Sequence, residues 1–233
     1  MRRINKKELG ILLKEKQKGK LLDLTTIEME NETLRGYDFS ETDLSLAVFR
    51  NVDFRDANIS KSKVKNTLFF ESPLLGASFY QSDMEGATIR DNDMTGVDLR
   101  GANLFRAVFE GSNMEHVITD ENTLWFRLHC PEKGAFLGYK KCVNDRLVQL
   151  LIPADAKRTS ATLSSCRCSK AKVLTIKSFD SAVSYEEAWS LVDENFVYRV
   201  GEWVEVLNFN EDRFMDSTTG IHFWMTREEA MAY

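Results

Sequence analysis

The apolar positions between residues 32 and 116 recur with a period of five, which suits neither regular secondary-structure element. An apolar stripe recurs every 3.6 residues on a helix and every second residue on a strand. A chain that turns by about a quarter circle per repeat keeps every fifth side chain inside, and four repeats then close one coil of a stacked solenoid. The apolar centres are Leu34, Phe39, Leu44, Phe49, Phe54, Ile59, Val64, Phe69, Leu74, Phe79, Met84, Ile89, Met94, Leu99, Leu104, Phe109 and Met114.

The positions that flank these centres also fit a coil. Two residues before each centre, from Thr42 to Ser112, every residue except Asn92 is Ala, Ser, Thr or Val, which suits a narrow interior. The residue directly before the centre is frequently Asp or Asn, which favours outward-facing turns. Residues twenty apart should stack on one face of the coil, and this spacing predicts three polar faces and one apolar face.

The apolar face is a candidate interface, because an exposed apolar ladder is typical of a docking surface. We expect it to pack against a second chain or against the C-terminal domain. Its members are Val48, Leu68, Thr88 and Val108, with Phe70 beside Leu68.

The repeats resemble the pentapeptide-repeat family, whose consensus is A-[DN]-L-x-x. "VDLRG" and "ANLFR" (97–106) match it closely, whereas "SKVKN", "TLFFE" and "SPLLG" (62–76) match it loosely. The resemblance implies a right-handed quadrilateral β-helix that serves as a rigid scaffold or oligomerisation platform. Some members of the family imitate duplex DNA with an acidic rod and bind DNA gyrase, so an inhibitor of a host DNA-binding enzyme is an alternative function.

The charge of the array favours the scaffold over the DNA mimic. Residues 32–116 carry nine Lys or Arg against fourteen Asp or Glu, a net charge of −5. Four coils would span on the order of 20 Å at about 4.8 Å each. Duplex DNA presents one charge per roughly 1.7 Å, so a replica of that length needs about twice the charge.

A helix is predicted before the array, over residues 5–20. Asn5 and Glu8 form a capping box, Leu9, Leu12 and Leu13 make one face, and Gly19 stops the helix. We expect this helix to cap the open end of the solenoid, and a membrane-surface helix is the alternative. The predicted organisation is a capping helix over 1–21, a β-helix over 22–119 and an α+β domain over 120–233.

The residues after about 125 abandon the period of five and predict a small α+β domain, within a chain that is mainly β. Alternating apolar runs predict strands, and two segments predict helices, of which the second has a capping box of Thr226 and Glu229. The strands are expected at 146–153, 170–179, 196–206 and 220–225, and the helices at 184–192 and 226–233.

Two further resemblances concern this domain. "CPEKGAFLGYKKC" (130–142) and the segment 151–174 resemble a domain of unknown function that follows pentapeptide repeats in phage and bacterial proteins. That likeness implies a bacterial, phage-associated origin and transfers no catalytic residue.

"GIHFWMTREEAMAY" (220–233) is similar to part of the ADP-ribosyltransferases of the diphtheria-toxin type, with His222 at the position of their nicotinamide-stacking aromatic residue. Those enzymes use a Glu well downstream, so the likeness implies an inactive domain unless Glu228 or Glu229 substitutes.

The segment 155–177 is the candidate ligand site, because it has a local charge of +5 in an acidic protein. Basic groups, hydroxyls and loop amides together suit a phosphate or another anion, including a nucleotide-like one. A solvated basic loop is the alternative. The predicted ligand-binding residues are Lys157, Arg158, Arg167, Lys170 and Lys172, together with His222 and Trp224.

Composition disfavours several classes of protein, namely nucleic-acid-binding, membrane-spanning, exported and zinc-binding proteins. The 233 residues carry a net charge of −5, which disfavours direct nucleic-acid binding. No apolar run reaches the roughly 20 residues of a membrane span, and no signal peptide is evident. All four cysteines follow residue 129, which favours reduced thiols in a cytoplasm, and their spacing does not predict zinc.

The sequence therefore predicts a non-enzymatic, cytoplasmic binding protein without a metal or cofactor. No Ser/His/Asp set, P-loop or dinucleotide fingerprint is readable, and the chain has only three histidines. The expected partners are an anionic small molecule or a host protein. Self-association into a homo-oligomer is a further expectation.

Overall fold

The computed structural model describes residues 1–17, 19–193 and 195–233. The chain is mainly β, and its contacts divide it into two units, Met1–Arg127 and Leu128–Tyr233. The elements of the first unit are β1 Arg2–Arg3, α1 Lys6–Leu13, β2 Leu22–Asp23, β3 Ile27–Glu30, β4 Thr42–Asp43, β5 Val48–Arg50 and β6 Leu68–Phe70.

The first unit is a β-helix whose coils contain twenty residues, as the period of five predicts. Parallel bridges join residues twenty apart on four successive sides of a coil. One such set is Thr33–Asp53, Asp38–Asn58, Asp43–Lys63 and Val48–Leu68. Bridging continues to Asn103–Leu124. The array therefore extends a few residues beyond the expected end at residue 119.

The interior of the coils is the apolar core of this unit. Every predicted centre from Leu34 to Phe109 is at most 1% exposed, and Met114 is half-buried. The small residues two positions earlier are buried as well, from Thr42 to Ala107. Two side chains of each repeat therefore point inward, which explains why one of them is usually small.

Each corner of the coil is made by a residue in the left-handed region of φ, two positions after the centre. L-residues other than Gly and Asn adopt this conformation reluctantly, so the repeats hold it with interstrand hydrogen bonds on both sides. The corner residues are Gly36, Glu41, Leu46, Asn51, Asp56, Lys61, Asn66, Glu71, Gly76, Gln81, Gly86, Asp91, Gly96, Gly101, Arg106, Gly111 and His116.

Helix α1 has the predicted capping box but is shorter than predicted. Asn5 accepts a hydrogen bond from the Glu8 amide, and the Glu8 carboxylate accepts one from the Asn5 amide. Leu9 is fully buried. The helix ends at Leu13 and does not continue towards Gly19, because the residues after Leu13 are polar and offer nothing to bury.

The second unit is built almost entirely from short antiparallel strands. The elements are β7 Phe136–Cys142, β8 Arg146–Ile152, β9 Arg158–Ser160, β10 Cys166–Cys168, β11 Lys170–Ser178, β12 Glu187–Trp189, β13 Val197–Arg199, β14 Trp203–Glu205, β15 Ile221–Phe223 and α2 Arg227–Ala232. Two sheets have the strand orders β14-β11-β8-β7 and β15-β10-β9, and a bridge joins Tyr139 of β7 to Trp224, the residue that follows β15.

Three predictions for this unit need correction. The expected helix over 184–192 is instead strand β12, which pairs with β13, so pairing between strands prevails over the local pattern. The single strand expected over 196–206 is split by a turn at Gly201, whose φ is 83°. In the basic segment 155–177, the strand expected at 170–179 is present as β11, but the strands β9 and β10 were not expected, so the segment is not a solvated loop.

Candidate functional site

The predicted basic site is dispersed, and its two arginines hold the backbone of the domain. The guanidinium of Arg158 donates to the carbonyl oxygens of Gly134 at 2.7 Å and Pro153 at 2.6 Å. It also donates to the carbonyls of Ala154 and Ala156. These hydrogen bonds use the donors that an anion would need, and the role of Arg158 as a ligand contact stays a prediction.

The guanidinium of Arg167 is engaged with backbone carbonyl groups in the same way. This residue is only 2% exposed and lies on β10. Its guanidinium donates to the carbonyl oxygens of Asn210, Asp212 and Thr219 at 2.8–3.0 Å. Burial lowers the pKa of this guanidinium. Arg167 thus fixes the segment between β14 and β15 and offers little to a ligand.

The predicted lysines do not converge either. Lys157 pairs with Glu211, and Lys170 pairs with Asp155 at 2.6 Å. Lys157 and Arg158 line a pocket of about 280 Å³, but Glu132 and Glu211 line it too, so it lacks the expected positive charge. Lys172 is half-exposed on β11, opposite Trp203 of β14.

A different cleft in the same unit brings two of the predicted residues, His222 and Trp224, together. Its volume is about 490 Å³, which is in the range of small-molecule sites. The lining combines aromatic, apolar and hydroxyl-bearing side chains with one lysine and one aspartate. The lining residues are Lys140, Ser165, Leu191, Val192, Asp216, Ser217, Thr218, Thr219, His222, Trp224 and Tyr233.

Lys140 is the unusual member of this cleft, because it is a buried lysine. It is 6% exposed and lies on the inward face of β7. Its ammonium donates to the His222 carbonyl oxygen at 3.2 Å and lies 5.9 Å from the centroid of the Tyr198 ring. Burial lowers the pKa of Lys140. Among the described residues, no carboxylate forms an ion pair with it.

His222 and Asp216 form the polar side of the cleft. The His222 Nε2 atom lies 3.1 Å from the Asp216 carbonyl oxygen, which only accepts, so Nε2 is the protonated nitrogen. Burial lowers the pKa of His222, which keeps its imidazole neutral at pH 7. The Ser165 hydroxyl donates to the Asp216 carboxylate at 3.2 Å.

Two aromatic rings form the apolar side. Trp224 is 4% exposed, and the Tyr233 ring lies on it with 4.6 Å between the centroids. Tyr233 itself is largely exposed. A planar group that enters the cleft therefore meets aromatic carbon on one side and hydroxyls on the other.

The ADP-ribosyltransferase likeness would need Glu228 or Glu229 of helix α2 as its catalytic acid. The structure gives the Glu229 carboxylate other partners. The Glu229 carboxylate accepts from the Thr226 amide at 3.1 Å, as the capping box predicts. Its other oxygen lies 3.1 Å from the His129 ring nitrogen. Glu228 is exposed on the first turn of the helix.

All four cysteines are buried free thiols. Burial raises the pKa of Cys142 and of Cys168 to about 12, so both are neutral near pH 7. Over residues 1–17, 19–193 and 195–233, no three His, Cys, Asp or Glu side chains are arranged to hold a metal ion.

On the β-helix, the predicted apolar column stacks as expected, through the Val48–Leu68, Leu68–Thr88 and Thr88–Val108 pairings. The prediction that the whole column is exposed is wrong for Val48, which is only 3% exposed. Leu68, Thr88 and Val108 are half-buried. Phe70 is 37% exposed, and the Arg50 guanidinium lies 4.7 Å from its ring centroid.

Seven of the fourteen carboxylates in residues 32–116 form ion pairs with basic residues of the array. Lys65 lies 2.9 Å from Asp83 and 2.8 Å from Glu85. Similar pairs are Arg35–Asp56, Arg55–Asp53, Lys63–Asp43, Arg90–Glu110 and Arg100–Asp98. This pairing breaks up the negative surface that a DNA mimic needs.

Comparisons with known proteins match each part of the chain to a family. Residues 33–69 and 82–118 match pentapeptide repeats, in eight copies. Residues 126–230 match a family of unknown function (DUF5758). Among curated proteins, no sequence matches this chain. None of the helices formed by the described residues is long and apolar enough to cross a membrane.

Several solved structures are similar to the chain. HetL, a pentapeptide repeat protein involved in heterocyst differentiation regulation from the cyanobacterium Nostoc sp. strain PCC 7120, is 21% identical, with a TM-score of 0.43 over 50% of this chain and 48% of HetL. A pentapeptide repeat protein from the Arabidopsis thaliana thylakoid lumen is 32% identical, with a TM-score of 0.34 over 39% of this chain and 65% of that one.

A third similar structure is QnrB1, a plasmid-mediated fluoroquinolone resistance protein. It is 27% identical, with a TM-score of 0.32 over 42% of this chain and 45% of QnrB1. The chain thus spans between about half and two thirds of the length of the structures that it matches.

Proposed function

Since this chain is a pentapeptide-repeat protein whose repeats are followed by a DUF5758 domain, we propose that it is a non-enzymatic binding protein. The β-helix is the scaffold, and α1 closes its N-terminal end. The C-terminal unit is the recognition domain, and the cleft at Lys140 binds a small molecule that carries a planar group and a negative charge.

The buried nitrogen of Lys140 at the wall of the cleft is the observation that carries this proposal. Burial disfavours its charged form, and among the described residues its partners are the His222 carbonyl oxygen and the Tyr198 ring, without a carboxylate. The thiols of Cys142 and Cys168 that face Lys140 are neutral and supply no counter-charge. An anionic ligand would supply it, and the hydroxyls of Ser217 and Thr218 at the same cleft can donate to the same anion.

The aromatic wall supports a planar ligand. Trp224 is held by β15 and by the bridge to Tyr139, so its ring does not need to be ordered on binding. Tyr233 covers the ring and can be displaced or can stack on a ligand. A nucleotide-like compound combines a planar ring with a phosphate and satisfies both sides of the cleft.

Isothermal titration calorimetry of the full chain against a panel of nucleoside monophosphates and diphosphates tests the proposal. We expect saturable binding of at least one compound at a ratio of one per chain. Lys140→Met removes the charge and keeps the side-chain length, and it should weaken that binding at least about tenfold, which corresponds to about 1.4 kcal/mol.

Lys157→Met is the matched control, because Lys157 is exposed and paired with Glu211. It should leave the affinity unchanged, and both variants should keep the circular dichroism spectrum of the wild type. Absence of heat with every member of the panel, or equal loss of binding in both variants, would count against the cleft.

The half-exposed column of the β-helix remains a predicted interface, and we propose that its contact residues are Leu68 and Phe70. Phe70 is the exposed ring of this column and Arg50 covers one of its faces. Sedimentation analysis of the wild type and of Phe70→Glu tests for a homo-oligomer. A concentration-dependent oligomer that Phe70→Glu dissociates supports the interface, and a monomer at all concentrations removes self-association from the proposal.

A further inference from the structure

Lys140 has the surroundings of a nucleophilic amine as well as those of an anion site. Its stem lies on the inward face of β7 between Gly138 and Cys142, and its nitrogen reaches the wall of the cleft beside His222. The groups that face it are the Cys142 and Cys168 thiols and the Tyr198 phenol, all of which burial keeps neutral.

This environment favours the uncharged amine. Desolvation penalises the ammonium, and no neighbouring anion among the described residues offsets that penalty, so the pKa of Lys140 is lowered. Each unit by which a lysine pKa falls raises the neutral fraction near pH 7 about tenfold. A desolvated lysine in a pocket is the group that forms Schiff bases with carbonyl compounds.

We infer that Lys140 captures a carbonyl-bearing ligand of the cleft as a reversible imine, so that the ligand class is an anionic aldehyde or oxo acid. This inference rests on the proposed binding function, and it adds a covalent step at the same site. The capture is stoichiometric and therefore consistent with a non-enzymatic protein.

The step needs no partner other than the ligand. The lone pair of the Lys140 nitrogen forms a bond to the carbonyl carbon, and the oxygen takes up the displaced electron pair to give a carbinolamine. The oxygen then leaves as water with the two hydrogens that the amine nitrogen loses, and a C=N bond remains. Protonation of the imine restores the positive charge, so the anionic group of the ligand keeps its counter-charge.

Borohydride trapping on the full chain tests the inference, with pyridoxal 5′-phosphate as the probe because it is an anionic aromatic aldehyde. We expect one reduced adduct per chain in the intact mass. Peptide mapping should place it on Lys140 at a yield at least about tenfold above that of exposed lysines such as Lys157 and Lys172.

Lys140→Arg keeps a charge at this position but cannot form the imine, so it should lose the adduct. Pyridoxine 5′-phosphate, which has an alcohol in place of the aldehyde, should compete with labelling of the wild type. Adducts spread evenly over exposed lysines, or an unchanged adduct mass in Lys140→Arg, would overturn the inference.

The two proposals can fail separately. If pyridoxine 5′-phosphate binds saturably and the aldehyde gives no adduct on Lys140, the covalent step is wrong and the binding function stands. If Lys140 is labelled selectively while no anion of the panel binds, the reactive amine is upheld and the proposed anion recognition is wrong.

Discussion

At the scale of the residue, buried cations explain much of the organisation of the C-terminal unit. The guanidinium groups of Arg158 and Arg167 each bind several carbonyl oxygens of irregular backbone. Such segments have no ladder of their own, and a guanidinium with five donors can satisfy them. Lys140 is the exception, since it has one carbonyl partner among the described residues and faces a cleft.

This difference predicts what happens when Arg167 is replaced by methionine. Three carbonyl oxygens lose a charged donor, so Arg167→Met should lower the free energy of unfolding of the C-terminal unit by about 3 kcal/mol. Urea unfolding followed by tryptophan fluorescence measures it, because Trp189, Trp203 and Trp224 lie in this unit. Lys172→Met, at a half-exposed position, should change it by less than about 0.5 kcal/mol. Equal effects of the two variants would contradict the role given to Arg167.

Gly138 gives a second prediction, which concerns packing. A Cβ atom at this position would lie 2.6 Å from Phe223 Cδ2 and 3.0 Å from Ile152 Cδ1, and both side chains are buried. Gly138→Ala should therefore destabilise the C-terminal unit by about 2 kcal/mol in the same urea titration.

Gly10→Ala is the contrasting variant. Gly10 lies inside α1 and a Cβ atom there meets nothing within 4 Å. Alanine should stabilise that helix by about 0.5 to 1 kcal/mol, measured by circular dichroism. A loss of stability at Gly10 as large as that at Gly138 would show that loss of glycine itself, rather than crowding, is responsible.

The residues of the cleft could be predicted from the sequence only in part. His222 and Trp224 follow from the segment 220–225, but Lys140 was missed. Its signal is the alternation in β7, where Gly138, Lys140 and Cys142 share the inward face. The positive charge of residues 155–177 predicted a ligand site because a charge count contains no information on direction. In the folded chain, β9 and β10 direct Arg158 and Arg167 towards backbone carbonyl groups.

At the scale of the element, the β-helix depends on two inward positions and one left-handed corner per repeat. The interior position two residues before the centre usually holds Ala, Ser, Thr or Val, and Asn92 is the exception. The structure explains this exception. The Asn92 side chain accepts from the Ser72 amide at 2.7 Å and donates to the carbonyl oxygens of Phe69 and Arg90.

Asn92→Ala therefore makes the repeat more like its neighbours and should nevertheless weaken the β-helix. The Ser72 amide and the Phe69 carbonyl would be left buried without this partner, at a cost of about 2 kcal/mol. Thermal unfolding followed by far-ultraviolet circular dichroism measures the loss. The exposed Glu115 is the control, and Glu115→Ala should change stability by less than about 0.5 kcal/mol. No difference between the two would mean that the bridging hydrogen bonds contribute little.

The sequence predicted those helices, strands and coils whose pattern lies within a few neighbouring residues. The centres of the repeat and both capping boxes are local patterns, and the structure has them. The expected helix over 184–192 failed because Glu187–Trp189 pairs with Val197–Arg199, a contact that only the folded chain provides. The strands β9 and β10 were not predicted, because each has three residues and so short a segment shows no period.

At the scale of the whole molecule, the acidic character of the chain is tied to the turns of the β-helix. The carboxylate before a repeat centre accepts a hydrogen bond from the amide two residues later, as in Asp53, Asp93 and Asp98. Hydrogen bonds from the side chains of Arg55, Thr95 and Arg100 are the largest cause of the lowered pKa values of these carboxyls. Asn58, Asn103 and Asn113 make the same turn without a charge.

The pH dependence of stability follows from these turns. Because the pKa values of Asp53, Asp93 and Asp98 are lower in the folded chain, the unfolded chain binds protons first as the solution is acidified. Their stabilising effect is present above the unfolded pKa of about 4, and it is lost as the pH falls through the folded values. Thermal unfolding of the wild type should therefore begin to weaken below about pH 5 and weaken further towards pH 2.

The triple variant Asp53→Asn, Asp93→Asn and Asp98→Asn separates titration from the turn itself. An asparagine keeps the acceptor for the backbone amide, as Asn58 and Asn103 already show, but it does not titrate. We expect the variant to be less stable than the wild type at pH 7, where it lacks the charge-assisted hydrogen bonds, and to lose less stability between pH 6 and pH 2. A wild type and a variant with parallel acid profiles would show that carboxylates elsewhere in the chain determine the acid sensitivity, and the turns would then act through their geometry alone.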